Sequence, residues 1–120
     1  MFVHKVWEEK EIKLMTQKNM PFPMLSDLGG SIGRLYNVYD EEMCMNLRGT
    51  FLIDPNGILQ SADILAAGVG RNLDEILRRI TALQHTQCTN EVTPVNWSKG
   101  KQTLTPSPSL VGNVCNTWKK

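Results

Sequence analysis

The sequence predicts an α/β fold, and three observations carry that expectation. Two segments, Thr50 to Ile53 and Ile58 to Ile64, flank Asp54-Pro55-Asn56-Gly57. Aspartate opens such a turn, proline presets the next φ and Gly57 can take positive φ, so the segment reads as an antiparallel hairpin. Further on, Leu73, Ile76, Leu77, Ile80 and Leu83 recur at helical spacing and make one apolar face. Near the start, Val6 to Gln17 is rich in Glu and Lys with Val6, Trp7, Ile12, Leu14 and Met15 interspersed, which predicts a helix.

Taken in order, the first helix is supported on its exposed face by pairs such as Glu9 and Lys13 at i,i+4, and Asn19, Pro21 and Pro23 stop it. Phe22, Met24 and Leu25 alternate loosely around Pro23 and predict a short strand. Asp27 to Gly30 is a turn, after which Ser31 can cap a short helix through Leu35 or Tyr36. Beyond the hairpin, Gly68-Val69-Gly70 leads into the second long helix. Asn72 is its expected N-cap, with Glu75 three residues on. Acidic Asp74 and Glu75 lie early, and Arg78 and Arg79 later, as the helix dipole favours. From about Thr86 onward Thr, Ser, Asn and Pro dominate and periodicity vanishes. This reads as an extended arm anchored on another surface by Trp97 and Leu110-Val111.

A chain of 120 residues is most simply one domain with a modest core. Hydrophobic residues at 41% and charged residues at 21% are ordinary for a globular protein. A formal net charge of +1 gives no field to gather nucleic acid or an anionic membrane, and no apolar run is long enough to span a bilayer. The N-terminus lacks an apolar signal core, and Cys44, Cys88 and Cys115 are too few and too widely spaced for a secreted disulfide framework. A cytoplasmic location is the expectation. With His4 and His85 as the only histidines, no metal site is expected. Gly29-Gly30-Ser31-Ile32-Gly33 lacks the Gly-Lys-Ser/Thr ending of a phosphate loop and reads as a turn.

Elements in this order fit several α/β folds, and particular words narrow the choice. Val3-His4-Lys5-Val6-Trp7, Pro23-Met24-Leu25-Ser26-Asp27, Leu47-Arg48-Gly49-Thr50-Phe51, Gly68-Val69-Gly70-Arg71-Asn72 and Glu91-Val92-Thr93-Pro94-Val95-Asn96-Trp97 occur in one order. Thr103 to Ser107 and Ser109 to Gly112 follow. In these words the chain resembles the C-terminal part of the typical 2-Cys peroxiredoxins, with the likeness running furthest toward bacterial alkyl hydroperoxide reductase C subunits. It extends over roughly residues 2 to 114. The resemblance implies residues 1–86 as the C-terminal portion of a thioredoxin-like peroxiredoxin domain and residues 87–120 as its extended C-terminal arm.

The activity implied is thiol-dependent reduction of hydroperoxides: a thiolate attacks the peroxide, a sulfenic acid forms and a second thiol resolves it. No cofactor is implied. The implied partners are peroxiredoxin subunits in a homodimer or higher ring and an external thiol or disulfide reductase. Arg48 corresponds to the arginine that contacts thiolate and peroxide, and Arg71 to a second arginine nearby. Their bland alternatives are a surface arginine and a loop charge.

Two departures qualify the likeness. The family's attacking cysteine belongs to a Pro-x-x-x-Thr-x-x-Cys segment upstream of these residues, and none of the three cysteines present has that context. The resolving cysteine belongs to a Glu-Val-Cys-Pro word, where this chain has Glu91-Val92-Thr93-Pro94. Thr93 therefore marks the resolving position without a sulfur. Cys88, five residues upstream, and Cys115, on the tail, are either substitute thiols or unrelated ones. Cys44 replaces a glycine common in the relatives and reads as a turn residue. Trp7 and Trp97 are expected to pack, and His4 to be structural. A rival reading is a non-enzymatic truncated remnant that binds full-length peroxiredoxin subunits through the dimer surface.

Overall fold

The computed structural model describes residues 2–118 and separates into two units, Met1–Leu47 and Arg48–Lys120. In the first, helical backbone runs without a break through α1 (Phe2–Trp7), a π-helical segment (Glu8–Ile12) and α2 (Lys13–Thr16). The expected helix thus starts four residues early. It ends at Gln17, whose left-handed φ of 56° closes the last turn through an N–H bond to the Lys13 carbonyl. Trp7 does not pack as expected: it is 45% exposed, and its indole N–H donates to Glu11 Oε2 at 3.0 Å.

The expected strand around Pro23 is absent. Two prolines remove the ladder donors that a strand needs, and Phe22 and Leu25 stay exposed. The turn over Asp27–Gly30 forms, and α3 (Ser31–Leu35) follows it. Its cap is Asp27 rather than Ser31. The Asp27 carboxylate accepts from Gly33 N at 2.7 Å, Ile32 N at 3.1 Å and the Ser31 hydroxyl at 3.2 Å. These bonds, the Gly33 amide foremost, hold its carboxyl below the usual range. Gly30, at φ 70°, lies so close to the Tyr39 ring that any Cβ would collide with it. A two-stranded ribbon of β1 (Tyr39–Asp40) and β2 (Met45–Asn46) follows, with Cys44 between them at φ 51°. A left-handed backbone is where glycine belongs, as the turn reading of Cys44 expected.

The second unit opens with the hairpin of β3 (Arg48–Ile53) and β4 (Leu59–Leu65), paired antiparallel from Arg48↔Leu65 to Ile53↔Leu59 with a bulge between Leu52 and Ile53. Asp54 organises the turn. Its Oδ1 accepts from Asn56 N and Ile58 N at 2.9 and 3.0 Å, its Oδ2 from Gln60 at 2.9 Å, and Gly57 takes φ 81°. α4 (Leu73–Thr89) begins where Asn72 Oδ1 accepts from Glu75 N at 3.1 Å, as the sequence predicts. Its regular backbone persists beyond Thr86 to Thr89, and Asn90 at φ 56° ends it.

The arm then folds back on α4. Val92 and Leu104 form an antiparallel bridge through reciprocal backbone bonds of 2.8 and 3.0 Å. Trp97, 3% exposed, is an anchor as expected. The second anchor is Leu104 at 6% rather than Leu110-Val111, since Val111 is 81% exposed. A 3₁₀ turn (Pro108–Leu110) and the single-turn α5 (Val114–Thr117) complete the described chain. Among the described residues no helix is long and apolar enough to cross a membrane.

Candidate active site

The hairpin places the two arginines that sequence reasoning singled out. Arg48 is the first residue of β3, opposite Leu65 at the end of β4. The chain leaving Leu65 turns through Ala66 to Gly70, with Val69 N bonded to Ala66 O, and returns Arg71 to the start of β3. There Arg71 Nε donates to the Thr50 hydroxyl at 2.9 Å, and its Nη2 donates to the Gly49 carbonyl at 3.1 Å. Arg71 is thus fixed on the two residues that follow Arg48. Arg48 itself is half-buried, and among the described residues its guanidinium has neither a hydrogen bond nor an ion pair. One arginine is held and its neighbour is left with its donors open, an arrangement suited to an oxygen-bearing anion or a thiolate. Thr50, which holds Arg71, was not singled out from the sequence. Its signal is its place in the Arg48-Gly49-Thr50 word.

The other candidates lie elsewhere in this unit. Thr93 is half-buried and lines an open groove of about 530 Å³ with Pro94, Asn96 and the α4 residues Glu75, Arg78 and Thr86. Cys88 is exposed in the last turn of α4, and Cys115 is exposed in α5. No hydrogen bond joins either sulfur to Arg48 or Arg71. Among the described residues, the hydrogen bond of Cys115 Sγ is to Asn116 Oδ1, at 3.9 Å. Cys44, in the first unit, is also exposed, and its Sγ donates to the Glu41 carbonyl at 3.6 Å.

The arm is clasped to α4 by two polar contacts. Glu75 accepts from Arg78 Nε and Nη2, at 2.6 and 2.9 Å, and from Arg79 Nε at 2.8 Å, leaving Arg78 Nη1 to donate to the Trp97 carbonyl at 3.1 Å. About two turns further, the His85 ring sits 5.1 Å from the Trp97 ring and 3.1 Å from Glu91 Oε2, which also accepts from the Thr103 hydroxyl at 2.6 Å. The two arginines, Arg78 first, pull the Glu75 carboxyl down to about 2. A depressed folded pKa stabilises the fold above the ordinary carboxylate range, and that contribution is lost as pH falls toward 2. Acid titration followed by carboxyl carbon shifts should show Glu75 protonating last among the glutamates. The arm should loosen in the same interval, seen as dequenching of Trp97. A Glu75 midpoint near 4.5 would remove this account of the clasp.

The two arginines thus stand together at the open end of the β-hairpin, with Arg71 fixed just before the start of α4. Comparison with known proteins shows the family. Residues 2–62 match the AhpC/TSA family, and residues 82–120 match the C-terminal domain of 1-Cys peroxiredoxin. The chain belongs to the AhpC/TSA family of peroxiredoxins. It is 51% identical, over 98% of its length, to the selenocysteine-containing peroxiredoxin PrxU of Peptoclostridium acidaminophilum, and 39% identical, over 94%, to alkyl hydroperoxide reductase C of Bacillus subtilis. It spans about three fifths of these relatives, 59% of each. Its structure superposes on reduced Plasmodium vivax 2-Cys peroxiredoxin with a TM-score of 0.80 at 37% identity, covering 90% of this chain and 55% of that one. The fold is therefore part of the peroxiredoxin form of the thioredoxin-like fold.

Proposed function

We propose that this chain provides the arginine half of a hydroperoxide-reducing site, with Arg48 and Arg71 as its functional side chains. What supports this reading is the Arg48 guanidinium, without a hydrogen bond or ion pair among the described residues, near an Arg71 fixed by Thr50 and Gly49. Its two roles are to stabilise a chalcogen anion and to hold the peroxide oxygens. The nucleophile comes from outside these residues: a cysteine thiolate or, as the name of the Peptoclostridium relative indicates for that protein, a selenocysteine. Sulfur attacks one peroxide oxygen, the S–O bond forms as the O–O bond breaks, and the departing alkoxide takes a proton to leave as an alcohol. A second thiol then attacks the sulfenic acid, releasing water and forming a disulfide.

Thr93 cannot supply that second thiol. Resolution falls to an external thiol or disulfide reductase, or to Cys88 or Cys115. The assembly we propose is a homodimer or higher ring of peroxiredoxin subunits in the cytoplasm, acting on hydroperoxides without a metal or organic cofactor. Within it, residues 1–86 belong to the catalytic domain and 87–120 to the arm.

A chimera tests the site. These residues replace the matching part of the Bacillus subtilis reductase, and peroxide consumption is measured with excess reductant. Turnover is expected, falling about 10²-fold in Arg48→Ala, the scale of losing one preorganised donor. Full activity of that variant would end the arginine assignment. The substitute-resolver role has its own test. Cys88 and Cys115 should both react with a thiol reagent in the native chain, as their exposure dictates, and burial of both against the reagent would eliminate it.

A further inference from the structure

One cluster of nucleophile, base and acid lies outside the arginine site. His85, Cys88 and Glu91 are gathered where α4 ends and the arm begins. His85 and Cys88 are three residues apart on the helix, a spacing that sets Cβ atoms about 5–6 Å apart and lets the side chains interact. His85 is half-buried against Trp97, and Cys88 is exposed. Among the described residues the Cys88 sulfur makes no hydrogen bond, so it is free to turn to the ring.

The carboxylate assigns the protons. Glu91 Oε2 lies 3.1 Å from His85 Nε2 and accepts from the Thr103 hydroxyl at 2.6 Å. The threonine bond first, and His85 after it, hold the Glu91 carboxyl below its usual range. An ionised carboxylate only accepts, so His85 Nε2 carries the proton and Nδ1 keeps its lone pair. Among the described residues Nδ1 makes no hydrogen bond. A weak nucleophile, a base beside it and a third group that orients the base are the parts of an activated thiol.

Position decides which step such a thiol suits. The C-terminal end of a helix disfavours a standing thiolate and favours a cation. Cys88 is therefore poorly placed to attack a peroxide. A base that takes its proton during attack puts the new positive charge on His85, which faces Glu91 and the carbonyl end of α4. The other two thiols lack this arrangement. Cys115 is bonded to the Asn116 side chain and Cys44 to the Glu41 carbonyl. Cys88 is also the thiol five residues from Thr93, where the chain has no sulfur.

We infer that Cys88 is the thiol that resolves the sulfenic acid, with His85 as its base and Glu91 as the residue that positions His85. The inference deepens the proposed function and takes the sulfenic acid from it. His85 Nδ1 accepts the Cys88 proton as the sulfur attacks the sulfenic sulfur. The S–S bond forms, the S–O bond breaks, and the departing hydroxide takes the proton back from His85 to leave as water. Cys88 is oxidised, the sulfenic sulfur is reduced, and the external reductase reopens the disulfide.

Two experiments test it. In the full 120-residue chain at neutral pH, mass-resolved alkylation with iodoacetamide should label Cys88 about tenfold faster than Cys115. His85→Ala should remove that advantage, and free imidazole added to the variant should restore it, which a merely structural role for His85 would not allow. Glu91→Gln should lower the rate while Cys115 is unchanged. Equal labelling of Cys88 and Cys115, a Cys88 rate indifferent to His85→Ala, or no rescue by imidazole would each overturn the inference. In the chimera described above, one equivalent of hydroperoxide without reductant should give a disulfide containing Cys88, lost in Cys88→Ser and kept in Cys115→Ser. A sulfenic acid that persists beside a free Cys88 also overturns it. A chimera that consumes no peroxide counts against the arginine site instead, and the alkylation rates then decide on Cys88.

Discussion

Alone, these 120 residues are expected to consume hydroperoxide at a rate more than about 10,000-fold below that of the chimera, the scale of losing a nucleophile. Guanidinium groups can orient a peroxide and stabilise an anion, but the oxygen must be taken by sulfur or selenium. The activating surroundings of a catalytic cysteine, a helix N-terminus beside a cation, are met by none of the three present. Cys88 lies at the opposite end of α4, Cys44 sits in a turn against a backbone carbonyl, and among the described residues Cys115 is hydrogen-bonded to an asparagine. Consumption should therefore be slow and linear in peroxide, and indifferent to Arg48→Ala. A peroxide assay with excess reductant decides this. Fast, saturable turnover abolished by Arg48→Ala and by one Cys→Ser change would reveal a nucleophile among these residues.

The second large effect is structural. Trp97→Ala removes the most buried side chain of the second unit, its bond from Nε1 to the Lys101 carbonyl at 3.0 Å and its ring contact with His85. Truncation of a buried tryptophan costs about 3–5 kcal/mol and leaves Leu104 and the His85–Glu91 contact to hold the arm. The expected outcome is protease cleavage between residues 91 and 104 under conditions that leave α4 intact. Trp97→Phe keeps most of the packing and loses the indole bond, so about 1 kcal/mol is expected. Equal protease resistance of Trp97→Ala and the parent would show that Leu104 and the Glu91 contacts suffice.

What was legible in the sequence was local. Asp54 to Gly57 encodes its turn in four residues, and Asn72 with Glu75 encodes a helix start in four. Both formed as read. The segment around Pro23 misled because alternation was counted while the missing proline donors were not. The short-helix cap was assigned to Ser31 because that residue adjoins the helix, yet Asp27 reaches further around the turn. Contacts distant in sequence left no local mark. Arg78 meets Trp97 across nineteen residues and Arg71 meets Thr50 across twenty-one. The first was not foreseen. The likeness of whole words to a family had placed Arg71 near Arg48, without naming Thr50 as the residue that holds it.

The Asp54 turn also governs how the protein ages. Asn56-Gly57 is the dipeptide most given to deamidation, in which the glycine amide nitrogen attacks the asparagine side-chain carbonyl and closes a five-membered imide. In the folded hairpin that nitrogen donates to the Asp54 carbonyl at 2.9 Å, and the preceding amide is tied to the Asp54 carboxylate. The attacking atom is thus engaged and the backbone is held in place. Chain that keeps its hairpin should retain Asn56 over long storage, and chain that has spent time unfolded should carry aspartate or isoaspartate there. That residue is a chemical record of the molecule's folding history.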